Sequence, residues 1–169
     1  MSELTTAPRI YVACLAAYNN GHLHGAWLDV DDVDTIQDGI NNMLKASPIP
    51  NAEEWEIHDH EGLGSSAECF GDLEHIVELA EFSKEHGDLG EAVLSECCGD
   101  LDEAKSMMDN YHGEYESEID FAYHIVEDCY TLEGPLANYF DYEAFARDLF
   151  MDGYSSIYVS GAHHVFSDR

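Results

Sequence analysis

The chain has 169 residues, with 36 Asp plus Glu against 6 Lys plus Arg and a formal net charge of -30. So large an imbalance opposes compaction by self-repulsion, and it repels nucleic acid and anionic membranes as partners, leaving a basic surface as the natural one. Apolar residues nevertheless make up 45% of the chain, with 7 Phe, 10 Tyr and 2 Trp, unlike the aromatic-poor composition of a disordered acidic tail.

The chain is therefore expected to fold, as one compact domain or a few small ones. Residues 1–10 include Glu3 and carry no apolar leader core, and no apolar run approaches the length of a membrane span. Five cysteines (Cys14, Cys69, Cys97, Cys98 and Cys129) are odd in number and form no spaced framework. A reduced, cytoplasmic protein with buried thiols is the expectation.

In chain order, Arg9–Ala17 (RIYVACLAA) and His24–Val30 read as strands, joined by a turn at Tyr18-Asn19-Asn20-Gly21. Asp34–Lys45 places Ile36, Ile40, Met43 and Leu44 at helical spacing, and Trp55–Asp59 reads as a short strand. Ser65 and Glu68 have capping-box spacing ahead of a helix whose apolar stripe is Leu73, Ile76, Val77 and Ala80, with Gly87 and Gly90 breaking the pattern. Asp100 and Glu103 suggest a second capping box before a short helix ending near Met108. A helix over Ser117–Tyr130 follows, then a loop at Gly134-Pro135 and a helix after Asp141 that stops at Gly153. Ser155–Ser160 and His163–Ser167 flank Gly161-Ala162 as a terminal hairpin. The expected fold class is α+β: an elongated chain of three small domains, with an α+β domain over 8–60, a central helical domain over 61–108 and a C-terminal α+β domain over 109–169.

The charge is spread along the chain. Windows from Ala46 to Ser83 and from Ser106 to Ala146 each hold ten acidic residues and no Lys or Arg. On the middle helix, Glu74, Glu78, Glu81 and Glu85 recur at spacings that share one face, and like charges so placed cost a helix a few tenths of a kcal/mol per pair. Lys84 adjoins this stripe without neutralising it. The second window contributes Asp109, Glu114, Glu116, Glu118, Asp120, Glu127, Asp128 and Glu133 as further candidates for a partner-binding acidic surface. At one DNA charge per about 1.7 Å, the net charge corresponds to roughly 50 Å of duplex, or about 15 base pairs; a symmetric dimer would imitate about 30. Carboxylates spread in this way would substitute for phosphates without offering bases to read. Salt-adapted proteins and domains with solvated acidic helix faces share such a composition, so charge alone does not choose among these readings.

More specific signals lie at the two ends. Leu136–Gly153 (LANYFDYEAFARDLFMDG) resembles the antirestriction motif region of the ArdA family. The stretch from Tyr18 to Trp27 is similar to that family's YN-G-L-G-W pattern, and Trp55–Glu61 (WEIHDHE) resembles its short acidic segment after the first helix. The resemblance implies a cytoplasmic DNA mimic carried by mobile elements: three small domains in an elongated homodimer that binds the methyltransferase and specificity subunits of type I restriction-modification enzymes. It further implies inhibition of restriction and often of modification, with no catalysis and no cofactor. Leu132–Asn138 is shorter than the family's usual segment before the motif. Within the motif, Tyr139, Phe140, Tyr142, Phe145, Leu149 and Phe150 are expected in the core or at a dimer interface, and Arg147 in an ion pair with Asp148, Glu143 or another carboxylate.

Other classes find less support. His22 with His24, and His58 with His60, each sit two apart on a strand, where they could chelate zinc or iron. There is no HExxH, no zinc-type CxxC, no phosphate loop and no nucleophile motif, and Asp29–Asp34 is a poor calcium loop. The alternative of a different kind is an acidic binding module for another basic DNA-binding protein, such as a nucleoid protein or a repressor. A metal-dependent enzyme using His58 and His60 ranks third.

Overall fold

The computed structural model describes residues 7–64 and 71–168. Strands and helices mix along the chain and build two small antiparallel sheets, so the fold is α+β. The residues group into two compact units, Met1–Leu101 and Asp102–Arg169.

In the first unit, β1 (Arg9–Cys14) is the central strand, flanked antiparallel by β2 (Gly25–Asp29) and β3 (Trp55–Glu61). The strand expected through Ala17 stops at Cys14. There the Cys14 thiol accepts from the Ala17 amide at 3.4 Å and caps a five-residue helix, α1 (Leu15–Asn19). The cap satisfies an amide that the strand would have had to pair. Helix α2 (Val33–Lys45) begins under Asp32, whose carboxylate accepts from the Thr35 amide at 2.8 Å. Its buried stripe of Ile36, Ile40 and Met43 meets Ile10, Val12 and Cys14 of β1 in one apolar layer, while Leu44 is only half-buried.

The capping box at Ser65 and Glu68 lies outside the described residues. Helix α3 (Leu73–Glu96) is capped by Asp72, which accepts from the His75 amide at 2.9 Å. Its buried face is Ile76, Leu79, Ala80, Phe82 and Ser83, with Leu73 and Val77 at the margin. Of the two glycines expected to interrupt it, only Gly87 does. At φ 59° and ψ -142° it bends the helix, and Gly90 beyond the bend is helical and buried.

The second unit starts with α4 (Leu101–Asp109), followed by a strand that periodicity missed, β4 (Tyr111–Tyr115). Helix α5 (Glu118–Cys129) is capped by Ser117, and a 3-10 segment at Gly134–Tyr139 leads to α6 (Tyr142–Asp152), capped by Asp141. The terminal hairpin of β5 (Tyr154–Val159) and β6 (Ala162–Ser167) forms as expected, and its two-residue turn has Ser160 and Gly161 both at positive φ (52° and 90°). Such a turn matches the twist of its strands. The sheet order is β4-β6-β5, and Phe121 of α5 is fully buried beneath it, in ring contact with Tyr115 and Tyr154.

The bend at Gly87 uses backbone angles that residues with a Cβ avoid. Gly87→Ala should cost about 1–3 kcal/mol of stability, measured by chemical denaturation. Nothing lies within 4 Å of the added Cβ, so the loss would report backbone strain rather than a clash.

Candidate functional site

Acidic side chains dominate the surface of both units. Glu74, Glu78, Glu81 and Glu85 all sit on the arm of α3 before the Gly87 bend, and all four are exposed. They span about 16 Å at 1.5 Å rise per residue. The cation beside them is directed elsewhere. The Lys84 amine donates to the Val30 carbonyl at 2.8 Å and pairs with Asp31 at 3.2 Å, tying α3 to the segment between β2 and α2. The stripe keeps its full charge because its nearest base is held by another element.

In the second unit, Asp109, Glu114, Glu116, Asp120, Glu127, Asp128 and Glu133 are exposed. Glu118 is half-buried and accepts a 2.6 Å hydrogen bond from the Ser156 hydroxyl of β5, so part of its capacity serves the fold. Asp120 accepts from the Ser117 hydroxyl at 2.6 Å within the cap of α5. Glu127 and Asp128 occupy the last turn of α5, which holds no basic residue. Negative charge there opposes the helix dipole and costs stability. The nearest relief is His124, whose ring lies 3.3 Å from Asp128.

The segment Leu136–Gly153 is only partly enclosed by its own unit. Tyr139 is 85% exposed, Leu136 73% and Met151 78%. Phe140, Tyr142, Phe145, Leu149 and Phe150 are half-buried, and Ala146 is the buried residue of α6. Phe150 reaches the core by packing on Phe121, 5.7 Å between ring centroids. Phe140, Tyr142 and Phe145 instead join a cluster at the surface, in which Tyr142 stacks on Tyr123 at 3.8 Å. Arg147 pairs with Asp148 at 3.6 Å, but both are largely exposed. The pair is solvent-facing rather than buried, a geometry worth at most about 1 kcal/mol.

The histidine pairs do not act as strand chelates. Tyr11 pairs with Asp59 while Val12 pairs with Ile57, so His58 is the extra residue of a β-bulge. The bulge breaks the alternation that would put His58 and His60 on one face. His60 falls opposite Ile10 of the core, and burial pulls its pKa down despite the opposing Asp59 charge, whereas His58 is exposed and edges onto Tyr18. His24 is turned to the Met43 carbonyl at 2.7 Å, and His22 is exposed. Among the described residues no group of three or more His, Cys, Asp or Glu is arranged to hold a metal ion.

What the surface offers is a dispersed field of carboxylates on two stable units, suited to a basic partner by long-range attraction. The profile of the ArdA antirestriction protein family matches residues 10–164. The chain belongs to the ArdA family. Its role is antirestriction, and membership makes it an inhibitor with restriction enzymes as the general class of partner. Among curated proteins, none matches the chain. Within the described residues, no helix is long and apolar enough to cross a membrane.

One carboxylate beyond the expected set reports on how the acidic surface strains the fold. Glu91, half-buried on α3, has its carboxyl pushed up by burial and then by the neighbouring Asp88. The folded state therefore holds this proton more tightly than the unfolded chain. That contribution is present at low pH and is lost as pH rises through the folded pKa. Glu91→Gln should raise the thermal midpoint at pH 7, and the gain should vanish below the ordinary glutamate range, as read by thermal unfolding across a pH series.

Proposed function

We propose that this ArdA protein is a DNA mimic that occupies the DNA-binding groove formed by the methyltransferase and specificity subunits of type I restriction-modification enzymes, blocking restriction and often modification too. The observation that carries this reading is the exposed, uncompensated stripe of Glu74, Glu78, Glu81 and Glu85, whose adjacent lysine is engaged with Val30 and Asp31. A stripe of like charges lowers helix stability, so a compensating use for it is expected. The second unit carries its own set of exposed acids. Such a decoy defeats its target through the sequence-independent electrostatic part of DNA binding. The reading places the protein in the cytoplasm and assigns it no catalysis and no cofactor. It also keeps the division into 8–60, 61–108 and 109–169: the described elements between β3 and β4 are all helices, although the first compact unit runs across the 60/61 boundary.

The same proposal includes a homodimer joined through the antirestriction motif. Leu136, Tyr139 and Met151 are exposed, and the Phe140, Tyr142 and Phe145 cluster is only half covered. Exposed apolar groups of this kind are available to an interface. Sedimentation should give a dimer for the native protein and a monomer for the Leu136→Glu, Tyr139→Glu double variant. A native protein that sediments as a monomer would remove the dimer from the proposal.

Competition is the direct test of mimicry. Type I methyltransferase bound to labelled duplex DNA should release it at near-stoichiometric inhibitor, less readily as salt rises. Single Glu→Gln changes should each do little. Replacing Glu74, Glu78, Glu81 and Glu85 together by Gln should weaken displacement and flatten its salt dependence. If folded protein fails to displace DNA, the mimic reading falls, and an acidic module for a nucleoid protein or repressor takes its place.

A further inference from the structure

The first sheet has two unlike faces. Ile10, Val12 and Cys14 of β1 point to the face covered by α2 and are fully buried. The residues between them point the other way, and the register extends that outer face to the flanking strands. Arg9 lies opposite Asp29 and Glu61, and Tyr11 opposite Trp27 and Asp59. Directly opposed residues share a face and touch. Tyr11 and Trp27 do so, with ring centroids 5.5 Å apart.

Solvated outer faces of small sheets are ordinarily polar throughout. This one has Tyr11 on its central strand and an indole on the β2 edge, Trp27 being 38% exposed, with Asp29 on the same edge and Asp59 on the other. Arg9 shows how a guanidinium sits there: 4.6 Å above the Trp27 ring and 2.9 Å from the Glu61 carboxylate. Arg9 uses Glu61 and leaves Asp29 and Asp59, both exposed, without a basic partner across the strands. Arg9 covers part of the indole, and the part of Trp27 left exposed, with these two carboxylates, can take a further cation. Stacking on an indole beside carboxylates favours Arg over a bare point charge.

We propose that this outer face, centred on Trp27 and Tyr11 and edged by Asp29 and Asp59, is a docking surface for an arginine-bearing loop or helix of the basic restriction enzyme. The inference rests on the proposed inhibition of type I enzymes and deepens it. Charge complementarity selects the occupant, since both exposed rim groups are acidic and DNA-binding grooves are lined with Arg and Lys. The aromatic centre supplies what phosphate imitation lacks: a desolvated anchor whose contribution does not fade with salt. Interface energy concentrates at such Trp and Tyr positions, ringed by weaker polar contacts. The acidic stripe of α3 would steer the encounter, and the Trp27 face would hold the complex once formed.

The competition titration separates the two contributions. Trp27→Ala should require about tenfold or more protein to displace DNA from the methyltransferase. Its salt slope should match the native protein, whereas neutralising the α3 stripe changes the slope. Trp27→Phe should restore most of the competition. Asp29→Lys, which leaves both rings in place, should also weaken competition and serves as the independent variant should Trp27→Ala unfold by circular dichroism. Native displacement with a folded Trp27→Ala or Asp29→Lys that competes equally would overturn the docking surface and leave mimicry standing. Native protein that fails to displace DNA would overturn both. A fall in sedimenting mass on Trp27→Ala would assign the face to a second copy of the chain and overturn the restriction-enzyme occupant.

Discussion

Mutual repulsion among carboxylates is the constraint to which the rest of this structure answers. A net charge of -30 on 169 residues works against any compact state, and the few cations cannot cancel it. They act as ties instead. Arg9 joins β1 to β3 and covers an indole, and Lys84 joins α3 to the end of β2. Lys84 secures its element by a hydrogen bond as well as charge, and Arg9 by a ring contact as well as charge.

The fold also finds places where negative charge is favourable. Asp32, Asp72 and Asp141 each cap a helix N-terminus, where free amides and the positive end of the helix dipole welcome a carboxylate. Glu118, in the first turn of α5, takes a hydroxyl from the neighbouring strand. These acids stabilise the structure and are spoken for. Others run against local preference: the stripe on α3 and the pair at the end of α5. The helices thus need some of their acids and merely tolerate others. Glu91 shows the limit, a carboxyl whose burial and acidic neighbour favour its protonated form.

The two aromatic surfaces have different surroundings. The cluster of Phe140, Tyr142 and Phe145 follows exposed Leu136 and Tyr139 in the chain. The Trp27 and Tyr11 pair is edged by carboxylates. An acidic inhibitor that relied on charge alone would lose its hold as salt rose, so a salt-independent anchor is a physical advantage beside the dispersed field.

Composition and periodicity by themselves determined the charge, the existence of a core, most helices, the terminal hairpin and the mixed α+β class, because these depend on local spacing and local capping. The motif residues carried the family, which the match over 10–164 established. Tertiary structure alone decided the rest. Strand β4 is short, with Gly113 in its middle, and becomes a strand only through pairing with β6 more than 45 residues away. The separation of His58 from His60 turned on one bulge opposite β1. Lys84 looked like a neighbour of the glutamate stripe until a carbonyl 54 residues away claimed it. The partnership of Arg9, Tyr11 and Trp27 exists only because β1 and β2 come into register. In each case the deciding bond joins groups that no local pattern relates, so only the assembled fold could place them.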